Sequence, residues 1–237
     1  MELTIMHNDV ASILKSRTKR YEGLSYKLAG GQYGLDVMME EPDVDEGRMA
    51  VWIPFADGNR RDGVGDLLEV GGIDANRHRK NPVILFDHGK QVQLPIALAE
   101  DPATKQYTVQ IDPMAKTAKA QAFFYRGENS EHALFCEQLF DLIAKRYIRA
   151  GSIGYQVVKA LTLQPDYEPG TPQGLHLLSV LMLELSAVVL PANADTVLKA
   201  LALPSVCGKP MSPMLIKSLT AYAPDKKAQL GYEGKSA

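Results

Sequence analysis

Cysteine is scarce in this sequence, with 2 in 237 residues, Cys136 and Cys207, and no Cys-x-x-Cys pair. A disulfide scaffold and a cysteine-rich zinc module therefore find no support. An excess of one charge is also lacking. Lys and Arg number 26 against 28 Asp and Glu, a net charge of −2, whereas a dedicated nucleic-acid binder carries a basic excess. No apolar run reaches the ~18 residues that mark a membrane-spanning helix. The start, Met1-Glu2-Leu3-Thr4, has neither the basic residues nor the apolar stretch of a secretory signal, so the chain reads as cytosolic. Neither nucleic acid nor membrane is expected as a partner.

Several familiar signatures are missing as well. Gly63-Val64-Gly65 runs into Asp66, Leu67 and Leu68, without the third glycine of a dinucleotide fingerprint. Gly89-Lys90 lacks the upstream glycine of a phosphate-binding loop. The five histidines (His7, His78, His88, His132, His176) show no metal-ligand spacing. Ser152 is not in a GxSxG elbow, because Ala150 stands at the first glycine and the helix precedes the serine instead of following it. No cofactor or metal is expected.

What is present is the balance of a soluble globular protein, 46% hydrophobic and 23% charged, with length enough for one buried core. Residues 1–48 read as a short amphipathic helix capped by Asn8, then a loop with six acids between 36 and 46 (Asp36, Glu40, Glu41, Asp43, Asp45, Glu46). Residues 49–203 hold the periodic segments. Residues 204–237 carry five Lys against two acids and four spaced prolines. They read as a flexible tail with one short helix at 215–222.

Within 49–203, apolar runs at 49–54 and 83–86 suit strands, and 106–111 and 118–124 alternate with period two. Leu134, Phe135, Leu139, Ile143, Tyr147 and Ile148 then recur at helical spacing. This predicts a helix over 130–149, capped at Asn129 or Ser130 and stopped by Gly151. Strands follow at 152–158 and 177–190, then a helix at 195–203 capped by Asn193. Contiguous strands with few helices imply an α+β, mainly β fold rather than a doubly wound sheet.

Three polar residues interrupt apolar strands, where burial is costly unless they are partnered. His88 follows Val83-Ile84-Leu85-Phe86-Asp87, Ser152 opens a strand with Gly154 on the same side, and Glu184 breaks the run Leu181-Met182-Leu183 and Leu185. Singly, each has an ordinary structural explanation. Together they supply a hydroxyl nucleophile, an imidazole base and a carboxylate to fix its tautomer, the requirements of acyl transfer.

The flanking residues carry a resemblance. Gly71-Gly72-Ile73-Asp74, then Asn81-Pro82-Val83-Ile84-Leu85-Phe86-Asp87-His88 and Leu94-Pro95-Ile96-Ala97, resemble the histidine region of tailed-phage prohead (capsid maturation) serine proteases. Ala150-Gly151-Ser152-Ile153-Gly154-Tyr155 looks like the nucleophile segment of that family. Leu183-Glu184-Leu185-Ser186-Ala187-Val188-Val189-Leu190-Pro191-Ala192-Asn193-Ala194-Asp195 resembles its closing segment. The blocks keep the family's order over about residues 50–203. The departures are Gly151 directly before Ser152, Ala97 in place of Gly, Thr196 in place of Ala, and an insertion at 163–174.

The resemblance implies that 49–203 is a protease domain with a closed, mostly antiparallel barrel wrapped by helices, similar to herpesvirus assemblin. It implies a serine endopeptidase in which Ser152 attacks, His88 exchanges the proton and Glu184 orients His88, with His176 and Asp195 as alternative third members. A hydrogen bond of about 2.6–3.2 Å between Ser152 Oγ and His88 is expected. The implied partners are the major capsid protein, a scaffold protein and further copies of the chain. The implied setting is the host cytoplasm, inside the procapsid of an assembling bacteriophage virion, with autoproteolysis in the tail. Two other readings stay open: a non-catalytic scaffold- or capsid-binding protein, and a metal-dependent phosphoesterase using Asp87, His88 and the 36–46 acids.

Overall fold

The computed structural model describes residues 33–38, 42–62, 66–90, 92–128, 130–163, 174–188 and 208–220. The expected helices in the first 20 residues and at 195–203, the Gly63-Val64-Gly65 run and nearly all of the 163–174 insertion lie outside these.

Among the described residues eleven strands make one sheet: β1 (Tyr33–Met38), β2 (Val44–Asp45), β3 (Ala50–Asp57), β4 (Leu67–Leu68), β5 (Ile73–Asp74), β6 (Val83–Phe86), β7 (Ala97–Leu98), β8 (Val109–Asp112), β9 (Thr117–Phe124), β10 (Ala150–Thr162) and β11 (Leu175–Val188). Three helices accompany them among the described residues: α1 (Asn76–Arg79), α2 (Glu131–Ala144) and α3 (Pro213–Thr220). The strands expected from alternation are present, and β6 has the bounds read from its apolar run.

The pairing of β3 with β9 shows how alternation becomes a core. Val51 lies opposite Ala122 and Ile53 opposite Ala120, so each large side chain meets a small one on the buried face. On the other face the Lys119 ammonium sits 4.6 Å from the Trp52 ring centroid. Pro54 adjoins the register shift in this ladder, where its missing N–H is tolerated.

The closed antiparallel barrel is not what forms. The hydrogen-bonded path runs β1-β10-β11-β6-β7-β9-β3-β2 and does not join its ends. The sheet is also mixed, because β11 pairs antiparallel with β10 on one edge and parallel with β4, β5 and β6 on the other. The far end of the path approaches β10 by packing, not by pairing. A β-carbon at Gly151 would lie 2.1 Å from the Pro54 carbonyl oxygen of β3, so the two backbones touch face to face. Face packing buries apolar area without linking strand edges, and it leaves the sheet open.

Gly151 therefore serves the sheet and does not stop the helix. Helix α2 begins as expected, with the Ser130 hydroxyl accepting the Ala133 N–H at 3.0 Å. It ends at Ala144, and Arg146 takes a left-handed backbone (φ 66°) just beyond. Phe135, Leu139, Leu142 and Ile143 are fully buried on its inner face. Phe135 meets Phe86 of β6 edge to face, with centroids 6.0 Å apart. That contact anchors the strand that leads to His88.

Helix α3, the short helix expected after residue 204, spans 213–220 and is fastened to α2. Gln138 is fully buried, donates to the Pro210 carbonyl at 2.7 Å and accepts the Ser212 N–H at 2.8 Å. Leu215 is also fully buried. The main sheet likewise takes in β1, upstream of residue 49.

Candidate active site

Strand β11 is the spine of the site. Glu184 and Ser186 are two apart and share a face. Across the β10–β11 ladder, Gly154 lies opposite Glu184 and Ser152 opposite Ser186. Directly opposed residues point to the same side, with β-carbons about 4.5–5.5 Å apart. Ser152, Gly154, Glu184 and Ser186 thus form a square on one face of the sheet.

His88 reaches this square from the opposite edge of β11. After β6, three residues in succession take the left-handed region: Asp87 (φ 48°), His88 (φ 56°) and Gly89 (φ 69°). For Asp and His such a backbone costs about 1–3 kcal/mol each, and persists only where surrounding contacts impose it. Those contacts are present. The His88 N–H donates to Ser186 Oγ at 3.1 Å, and His88 Nδ1 lies 2.6 Å from Glu184 Oε1. The Lys90 ammonium lies 3.2 Å from the carboxylate of Asp87, which is buried.

Against an ionised carboxylate, Nδ1 is the N–H and donates. That leaves the lone pair of the neutral ring on Nε2, the tautomer a general base requires. Glu184 Oε2 in turn accepts the Ser186 hydroxyl at 2.6 Å. His88 and Glu184 side chains are 14% and 18% exposed, enough to meet a ligand yet shielded from bulk water.

Ser152 is different. It shares the face, but it is fully buried, and its hydroxyl has no hydrogen-bond partner among the described residues, His88 included. The expected Ser152–His88 hydrogen bond is not made. An unpaired buried hydroxyl costs about 1–3 kcal/mol, and that of Ser152 lies on the face that carries Glu184 and Ser186.

Of the two alternatives for the third member, only His176 lies among the described residues. His176 is eight positions before Glu184 on β11, roughly 25 Å along the strand, where its Nε2 lies 3.8 Å from Glu69. Asp195 lies outside the described residues. Among the described residues no group of three or more His, Cys, Asp or Glu is arranged to hold a metal ion. Cys136 is fully buried on α2, and burial pushes its thiol up to about 12. Cys207 lies outside the described residues.

The Glu184 charge is also felt by two neighbouring bases. Burial lowers Lys90 to about 8, with the Glu184 charge acting against that shift. Burial lowers His78 too, opposed by its hydrogen bond to the Val83 carbonyl and by Glu184. His78 is a structural residue: Nε2 lies 2.9 Å from that carbonyl and Nδ1 2.8 Å from the Tyr107 hydroxyl.

The sequence alone assigned no role to Ser186 or to Lys90. A readable signal existed for the turn. Asp-His-Gly directly after an apolar strand supplies residues tolerant of a left-handed backbone.

A scan of protein-family models, a search of curated proteins and a search of solved structures return no match. The site therefore stands on its own geometry.

Proposed function

We propose that the chain is a serine endopeptidase. Ser152 attacks the scissile carbonyl, His88 takes its proton at Nε2 and returns it to the leaving amine, and Glu184 holds the imidazole and stabilises its charged form. The observation that carries this reading is the 2.6 Å contact between Glu184 and His88 Nδ1, on the face that holds the unpaired Ser152 hydroxyl. It does not depend on a closed barrel.

The substrate class follows from the resemblance to prohead proteases. It comprises a scaffold protein or the scaffolding segment of a major capsid protein, and the chain's own tail, cut inside the procapsid in the host cytoplasm. Ser152 is covered here, so the cover must open before a peptide carbonyl reaches the hydroxyl. Assembly, or association with further copies of the chain, is the event we assign to that opening.

The covered hydroxyl is also what favours a second reading, a scaffold- or capsid-binding protein that keeps the site without turnover. Co-expression with the neighbouring capsid protein separates the two. A truncated capsid band that vanishes with Ser152→Ala supports the peptidase. A capsid protein that stays full length with the wild-type chain, while still binding it, supports the binder.

A further inference from the structure

A closed ring of hydrogen bonds ties Ser186 to both the backbone and the side chain of His88. Ser186 Oγ accepts the His88 N–H at 3.1 Å and donates to Glu184 Oε2 at 2.6 Å, and Glu184 Oε1 accepts from His88 Nδ1 at 2.6 Å. Ser186 is fully buried. We propose that Ser186 is a positioning residue, which sets the height of His88 over β11 and the plane of the Glu184 carboxylate at once. The inference rests on the reading of His88 as the general base.

The last torsion of a glutamate is broad and roughly two-fold, so one contact to Nδ1 leaves the carboxylate plane loosely set. A second contact to its other oxygen fixes that plane, and Ser186 is suited to make it because a residue two positions on along a strand faces the same way. The backbone of His88 is also left-handed, and holding such a turn requires a partner for the N–H that it aims at β11. One hydroxyl meets both needs, one as acceptor and one as donor.

Ser186 is not itself placed to be the nucleophile. Its proton goes to a carboxylate and not to the imidazole, and its oxygen already accepts the His88 N–H. A nucleophilic serine must give its proton to the base.

The test uses the full chain with Ser186→Ala and Ser186→Thr. NMR of the His88 ring nitrogens reads the tautomer whether or not the protein turns over. The wild type is expected to show Nδ1–H, Ser186→Ala a mixed population, and Ser186→Thr a return to the wild-type pattern. Labelling by a fluorophosphonate should slow by about 10–100-fold in Ser186→Ala, with the label still on Ser152.

A wild-type ring spectrum and labelling rate in Ser186→Ala would overturn the proposal, as would a label mapped to Ser186. A wild-type chain that labels in neither the purified nor the capsid-assembled state, yet whose His88 tautomer shifts in Ser186→Ala, would sink the peptidase reading and leave the positioning role standing. If alanine at 186 prevents folding, Ser186→Cys, of similar size with only a weak donor, reads the same change. An unaltered tautomer there overturns the proposal.

Discussion

Glu184 occupies the space that a side chain at Gly154 would fill. A β-carbon at 154 would lie 2.5 Å from Glu184 Oε1, the same oxygen that meets His88. The absence of a side chain on β10 thus sets where the carboxylate of β11 rests. Gly154→Ala is expected to push Glu184 off Nδ1 while the ladder holds. Displacements near 1 Å at such a site cost about 100-fold in rate, so labelling of Ser152 should fall by that order with a near-native circular dichroism spectrum.

Glu184→Gln tests the charge separately from the shape. The amide can no longer impose Nδ1–H as an anion does, and in a Ser-His-carboxylate set the like change costs about 10⁴-fold. Steady-state cleavage of a capsid-derived peptide is expected to drop by about that factor. His176→Ala, remote on the same strand and beside Glu69, should leave cleavage unchanged. Equal losses from the two substitutions would mean that the third member has been misassigned.

Lys90 gives a stability signature. Burial holds it at about 8 in the folded chain against 10.5 for the ordinary side chain, so between these values the unfolded chain binds more protons. The contribution of Lys90 to stability therefore rises with pH from about 8 to about 10.5 and is level outside that window. Urea midpoints across this range should climb less steeply in Lys90→Met than in the wild type. Parallel curves would show that Lys90 is not held in the buried, charge-penalised setting described.

Phe135 supports the site from behind. It is fully buried and packs edge to face on Phe86, two residues before His88. Phe135→Ala should destabilise the chain by about 3–5 kcal/mol, measured by urea denaturation. A loss under about 1 kcal/mol would mean that the α2–β6 contact is not part of the core.

Particular residues explain which features could be read from sequence. Residues 83–86 form an unbroken apolar run between Pro82 and Asp87, and β6 matches it. Ser130 announced the start of α2, but the end was obscured. Lys145, Arg146 and Arg149 imitate a basic last turn, and Gly151 imitates a stop, although its small size answers the Pro54 carbonyl of β3. Strands β4, β5 and β7 have two residues each and carry no period of their own. They exist because longer strands offer them an edge.

The open sheet was hidden for a related reason. Alternation tells which side chains face inward, but not whether the two end strands meet edge to edge. At the site, polar residues in apolar strands pointed to His88, Ser152 and Glu184. The burial of Ser152 could not be seen, because its face lies away from that of Ile153 and Tyr155, yet both faces are covered.

The most direct test of the account is covalent capture of the nucleophile. Purified and capsid-assembled chain is treated with a fluorophosphonate and the modified residue is located by mass spectrometry. The label is expected on Ser152, faster in the assembled state, and lost in both Ser152→Ala and His88→Ala. No label in either state, or a label that survives His88→Ala, would contradict the account.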